Sequence, residues 1–220
     1  MDAPKVYVSE VAFLQLLVSS VEIYSSKRCK GRRIRERKDG EAFGYVFGSF
    51  LNQKERPLIR VEFLVPCQRV QYRSHTSVEP CSVAEERILS VLSPFPGLEL
   101  LGTFHSHLYY DGDDFRTTNS VKPSQKDNRS WKDWWDDQKH IPLGLELIIG
   151  IQELQRRGWA QTQTKGNCIE GIWEKIKYAI GAWYTTQELS ASTNKDILKP
   201  VHWLICPTAF GITREDIRDE

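Results

Sequence analysis

The sequence predicts a mixed α/β fold, a sheet flanked by helices. Three observations predict it. Two strand-like runs, residues 42–50 and 58–65, flank the polar turn at 52–57 and read as a hairpin. Residues 145–151 form an apolar run with the length of a central strand buried on both faces. Segments of helical period separate the strand-like runs. At 220 residues the chain suits one domain, residues 1–220, with insertions better than two.

Residues 5–9 alternate as a short strand. From 9 to 24 the period becomes helical, and Val11, Leu14, Leu17, Val18 and Val21 fall on one face. Residues 25–40 form a charged loop before the hairpin. Ser82-Val83-Ala84-Glu85 has the pattern of a capping box opening a helix through Leu92, which Pro94 and Pro96 stop. Residues 98–107 read as an apolar strand and 111–122 as a polar loop. A second helix starts near Pro123-Ser124 and carries Trp131, Trp134 and Trp135 on one face, a stripe whose default explanation is core packing. After residue 151 the signal weakens. Residues 179–185 and 201–206 look like strands, 187–195 like a polar connection, and the charged tail from 213 is expected to fray.

Composition excludes several classes. Hydrophobic residues at 40% and charged residues at 27% give an ordinary globular balance. No apolar run reaches the ~18 residues of a membrane helix. Met1-Asp2-Ala3-Pro4-Lys5 lacks the order of a secretion signal, so the expected location is the cytoplasm. Five scattered cysteines without a C-x-x-C pair argue against a disulfide framework and a cysteine zinc knuckle, and predict reduced, mostly buried thiols. Eight of the twelve residues from Lys27 to Lys38 are basic, against an otherwise acidic chain. Such a loop can grip nucleic acid or an acidic protein. No aromatic residue interleaves it, so a solvated loop is the preferred reading and nucleic acid is not expected as a partner.

The chemistry concentrates in His105-Ser106-His107, in Ser124 and Asp127, and in Glu41. In a strand, residues i and i+2 share a face, so the two imidazoles project together. Their separation is set by the backbone, a natural start for a zinc site whose third ligand comes from elsewhere. Asp127 lies three residues after Ser124, on the same face of a helix. Catalytic zinc uses three protein ligands and a water whose pKa falls to about 7. A carboxylate then moves the proton, and a hydroxyl can steady the oxyanion. These five residues include a group for each role. Singly they mean less: an isolated H-x-H is commonly a surface pair, and Ser-x-x-Asp is also the pattern of a helix capping box. His75, His140 and His202 match nothing and read as structural or exposed.

The conjunction resembles the JAMM (MPN+) family of zinc isopeptidases, which are deubiquitinase-like. Glu41, Gly44 and Gly48 match the family's E-x-x-G-x-x-x-G strand, His105-Ser106-His107 its H-[ST]-H, and Ser124 and Asp127 its S-x-x-D. The resemblance implies an MPN/JAB (cytidine-deaminase-like) architecture with Zn2+ on His105, His107 and Asp127. It implies Glu41 as general acid/base and Ser124 as oxyanion stabiliser. It also implies a ubiquitin-like protein as substrate and a bacterial member with E1-like and E2-like operon partners. Two features depart from the pattern. Leu108 replaces the usual proline after the second histidine, and sixteen residues rather than seven separate His107 from Ser124. The resulting insertion, about 108–122, brings Asp111, Asp113 and Asp114 as rivals to Asp127, which is preferred because it keeps the family spacing. The insertion is expected to form a flap beside the cleft that helps choose substrates. Residues from about 186 to 220 form a C-terminal extension. The alternative from another class is a noncatalytic MPN-like scaffold in a larger assembly, although this chain retains all five residues.

Overall fold

The computed structural model describes residues 2–25, 29–30, 33–34, 40–52, 57–68, 70–74, 77–95, 97–109, 113, 115–138, 141–191 and 196–206. In chain order the elements are β1 (Lys5–Val8), α1 (Glu10–Ser25), β2 (Cys29–Lys30), β3 (Arg33–Ile34), β4 (Phe43–Asn52), β5 (Pro57–Pro66), β6 (Val70–Ser74), β7 (Ser77–Pro80), α2 (Ser82–Leu92), β8 (Glu99–Tyr109), α3 (Thr117–Ser120), α4 (Gln125–Asp137), β9 (Leu143–Lys165), β10 (Cys168–Thr186), α5 (Gln187–Ser190), β11 (Lys199–Pro200) and β12 (Trp203–Ile205). The mixed α/β class is observed. The basic segment contributes only the short β2–β3 ladder, the rest of it and the tail from 207 lying outside the described residues. Among the described residues, no helix is long and apolar enough to cross a membrane. Cys67, Cys168 and Cys206 are buried and Cys81 is half-buried.

Eight strands form one sheet in the order β11-β10-β9-β8-β4-β5-β1-β12. The β4–β5 hairpin is antiparallel, as expected, while β8 and β9 run parallel. Only Val201 and His202 separate β11 from β12, so the two ends of the strand order are neighbours in the chain. Val201 N–H donates to Ala182 O on one end, and His202 N–H to Pro4 O near the other. The sheet is therefore rolled until its ends meet.

Alternating side chains divide β4 between two layers. Val46 packs with α1 residues in the larger core, whereas Phe43, Tyr45 and Phe47 face the second cluster with Trp131 and Trp135 of α4. Gly44 and Gly48 permit the close approach of β4 to its neighbours: a Cβ at Gly44 would lie 2.4 Å from Val65 O, and one at Gly48 would overlap Arg60 O. Trp131 and Trp135 are buried, as the stripe implied.

Three local expectations are corrected. In α1 the buried face is Ala12, Phe13, Leu16 and Leu17, while Val11 and Val18 are 55% and 56% exposed and Leu14 is exposed too. The helix is apolar around much of its circumference, so its period did not identify the inner face; Phe13 sets it, with its ring 6.0 Å from Tyr178. At α2 the N-cap is Cys81, without a side-chain cap, and Ser82 is already helical. Glu85 instead accepts from Tyr45 Oη at 3.2 Å, Trp134 Nε1 at 3.1 Å and Gln138 Nε2 at 3.1 Å, joining α2 to β4 and α4. Burial pushes its carboxyl above the ordinary value, against the pull of the Trp134 and Tyr45 donors. The segment 187–195, expected to be a polar connection, opens as α5, with Thr186 Oγ1 accepting from Leu189 N–H.

The weak region after 151 is a long β9–β10 ribbon closed by Gly166-Asn167. Register shifts between Glu170 and Ile172 and between Glu174 and Ile176 bend it, and Glu174 sits at φ 52°. The tip returns to the body: Asn167 O accepts from Ala182 N–H, and Gly166 O from Leu204 N–H. Replacing Glu85 by Ala strands three donors at the junction of α2, β4 and α4. We expect a loss of about 1–3 kcal/mol, read as a lower urea midpoint at unchanged slope.

Candidate metal centre

Strand β8 carries both histidines on the side facing α4. His105 pairs in register with Phe43 on β4 and with Ile148 on β9, so its backbone is fixed from both sides. His107 lies opposite Gly150. The two Nε2 atoms are 3.1 Å apart, and the carboxylate of Asp127 faces both: Oδ1 is 3.6 Å from His105 Nε2, and Oδ2 is 3.4 Å from His107 Nε2. One donor atom from each of the three residues lies within 4.8 Å of the others, an arrangement that could hold a metal ion. Among the described residues no other His, Cys, Asp or Glu group does so. Asp113 is exposed and outside the cluster, and Asp111 and Asp114 lie outside the described residues.

Asp127 is placed by the start of α4. Ser124 is the N-cap: its Oγ accepts from Asp127 N–H at 3.1 Å, and Asp127 Oδ2 accepts from Ser124 N–H at 2.6 Å. The capping box and the cluster therefore share one carboxylate. A hydroxyl has one proton and two lone pairs, so capping leaves the Ser124 O–H available as a donor. Ser124 itself is exposed, and farther along the same face α4 buries Trp131 and Trp135.

Glu41 precedes β4 and is 7% exposed. Ser106, fully buried between the histidines, fixes its neighbour: Ser106 Oγ accepts from Ala42 N–H at 2.7 Å, and Ser106 N–H donates to Ala42 O at 3.0 Å. The middle residue of the H-S-H triplet thus holds the loop of the glutamate. Glu41, His105 and Asp127 open on one cleft of about 70 Å3, walled by Phe43, Val78, Trp131, Trp134 and Leu198, with Lys126 also lining it.

Burial raises the Glu41 carboxyl above its ordinary value, although His105 and His107 pull the other way. Burial also opposes ionisation of Asp127, but hydrogen bonds to His105 and His107 outweigh it and hold that carboxyl far below the usual range. At His105 burial disfavours the cation, yet Asp127 and Glu146 win and raise its pKa well above normal. The charge on Asp127 is thus stabilised by the two imidazoles that face it.

Two supports have no counterpart in the sequence reading. Glu146 on β9, 3% exposed, lies 2.5 Å from His105 Nδ1 and accepts from Thr103 Oγ1. Its signal was available: an acid inside an apolar strand run needs a buried partner. The second is the Ser120 carbonyl, 3.0 Å from His107 Nδ1. With both Nδ1 atoms engaged, both Nε2 atoms are left to face the cluster, as in metal sites whose outer shell orients the ligands. A divalent cation fits this donor set of two imidazoles and one carboxylate.

The expected polar loop at 111–122 contains α3, and residues 115–122 are fastened to the sheet, with Phe115 and Val121 buried against Ile148, Cys168 and Ala179. This half of the insertion is docked on the sheet rather than standing beside the cleft as a flap; residues 110–112 and 114 lie outside the described residues. His202 is exposed, and His75 and His140 also lie outside the described residues. No protein-family model and no curated protein matches the chain.

Ser106→Ala removes the acceptor for a buried amide. We expect a loss of about 1–3 kcal/mol in denaturant unfolding.

Proposed function

We propose that this chain is a zinc-dependent isopeptidase of the JAMM (MPN+) type, with the MPN architecture. Its reaction is hydrolysis of the amide bond after the C-terminal tail of a ubiquitin-like protein. The observation that carries the reading is convergence. Glu41 before β4, His105 on β8 and Asp127 at the start of α4 line one cleft, and His107 joins His105 and Asp127 in the donor cluster, although 86 positions separate Glu41 from Asp127. The order of groups matches the chemistry required, and the apolar side chains of the cleft offer an extended segment a surface to lie against.

His105 Nε2, His107 Nε2 and an Asp127 oxygen would hold the zinc ion. Bound zinc supplies Lewis acidity, which lowers the pKa of water to about 7. Glu41 takes the proton of the attacking water on its carboxylate and delivers it to the leaving nitrogen. Burial favours this role by raising the carboxyl's affinity for the proton it must briefly keep. The free Ser124 O–H donates to the oxygen that gains charge at the attacked carbonyl. Phe43, Trp131 and Trp134 limit water around the reacting groups.

Metal analysis of the purified chain should find about one zinc per molecule, and none after His105→Ala. Glu41→Gln should keep that zinc while cleavage of a ubiquitin-like fusion falls about 10²–10⁴-fold. Full activity in Glu41→Gln would remove the assigned mechanism.

A further inference from the structure

The insertion between His107 and Ser124 departs from the family spacing, and its docking gives it a role at the metal centre. We infer that residues 115–122 form a clamp whose Ser120 carbonyl holds His107 in its metal-binding tautomer, with Gly150 and Trp183 as the positioning residues that seat the clamp. The inference rests on the metal-centre reading above.

A carbonyl only accepts. The 3.0 Å contact with Ser120 O therefore places a proton on His107 Nδ1 and leaves the lone pair of a neutral ring on Nε2, the atom that faces Asp127. His105 receives the same service from Glu146 on β9, adjacent to β8 in the main sheet. His107 receives it from a separate segment, so its geometry is only as good as the docking of that segment.

The docking is extensive. Trp183 Nε1–H donates to Val121 O at 2.8 Å, one residue beyond the critical carbonyl. Lys177 Nζ donates to Phe115 O at 3.2 Å and lies 4.7 Å from the centre of the Phe115 ring. Thr117 Oγ1 donates to Glu170, and Gln152 Nε2 to Asp113 O at 3.2 Å. The seat also requires missing side chains. Gly150 pairs with His107 across β8 and β9, and a Cβ there would lie 2.9 Å from Ser120 Cβ and 3.0 Å from Ser120 O. A Cβ at Gly181 would lie 2.6 Å from Val121 Cγ2. A methyl group at position 150 must push away the oxygen that braces His107. The β9–β10 ribbon thus sets metal affinity through the insertion, without touching the metal.

The test uses the full chain and zinc alone. Zinc affinity is measured by competition with a chromophoric chelator for the wild type, Gly150→Ala, Trp183→Phe and the control Gly158→Ala. A Cβ at Gly158 meets only an ordinary contact, 3.5 Å from Ile172 Cγ2. Thermal melts of the metal-free proteins accompany each measurement. Gly150→Ala and Trp183→Phe should bind zinc about tenfold or more weakly, with Gly158→Ala unchanged. A purely structural role would lower the metal-free melting temperature and leave zinc affinity alone. Folded Gly150→Ala or Trp183→Phe protein that binds zinc within twofold of wild type overturns the clamp. Trp183→Phe carries the test if Gly150→Ala does not fold. If the wild type itself takes up no zinc, the metal-centre reading fails and the clamp fails with it.

Discussion

The Asp127 carboxylate is the point on which the structure turns. One of its oxygens is tied to the Ser124 amide at the head of α4, and the two oxygens face imidazoles projecting from β8. A negative group at a helix N-terminus is stabilised locally, so the fold itself keeps this side chain in place. The same restraint aims it at the histidines. An isolated capping box would leave the carboxylate in solvent, and an isolated histidine pair would lack its third donor. Packing α4 against β4 and β8 joins the two, and the buried Trp131 and Trp135 fix that packing.

The supports around this point are unequal, and their inequality organises the centre. His105 is inside the sheet, paired on both sides, and braced by a buried carboxylate from the next strand. His107 lies farther along β8 and is braced by a main-chain carbonyl from the inserted segment. Among the described residues, no such brace holds the Glu41 side chain. Its position comes from Ser106, which holds the neighbouring amide, and from burial, which alters its proton affinity. Three consecutive residues of one strand therefore present an imidazole, a tether and a second imidazole.

The sequence showed much of this, for reasons that differ by residue. Glu41, His105, His107, Ser124 and Asp127 were legible because their types and spacing are demanded by chemistry, and the structure brings Glu41, His105, His107 and Asp127 to one place with Ser124 at the cap. The β4–β5 hairpin and the inner half of β9 were legible from apolar periodicity. The inner face of α1 was not, because Val11, Leu14 and Val18 are as apolar as the Phe13 and Leu16 that are buried. The outer ribbon, beyond Glu153, carries polar and charged residues on both faces and has no periodic signal, although Gly166-Asn167 is a hairpin turn pair. Glu146 was overlooked, although it is the one acid in its apolar run. The Ser120 brace has no sequence signature, since any residue supplies a carbonyl.

On the proposed function, one divalent cation sits where the three side chains converge. Anomalous diffraction at the zinc edge from zinc-loaded crystals tests it most directly. The expected result is a single strong peak bonded to Nε2 of His105, Nε2 of His107 and an Asp127 oxygen, at the usual lengths of about 2.0–2.2 Å. A peak elsewhere in the molecule, or none at that point in fully loaded protein, would contradict it.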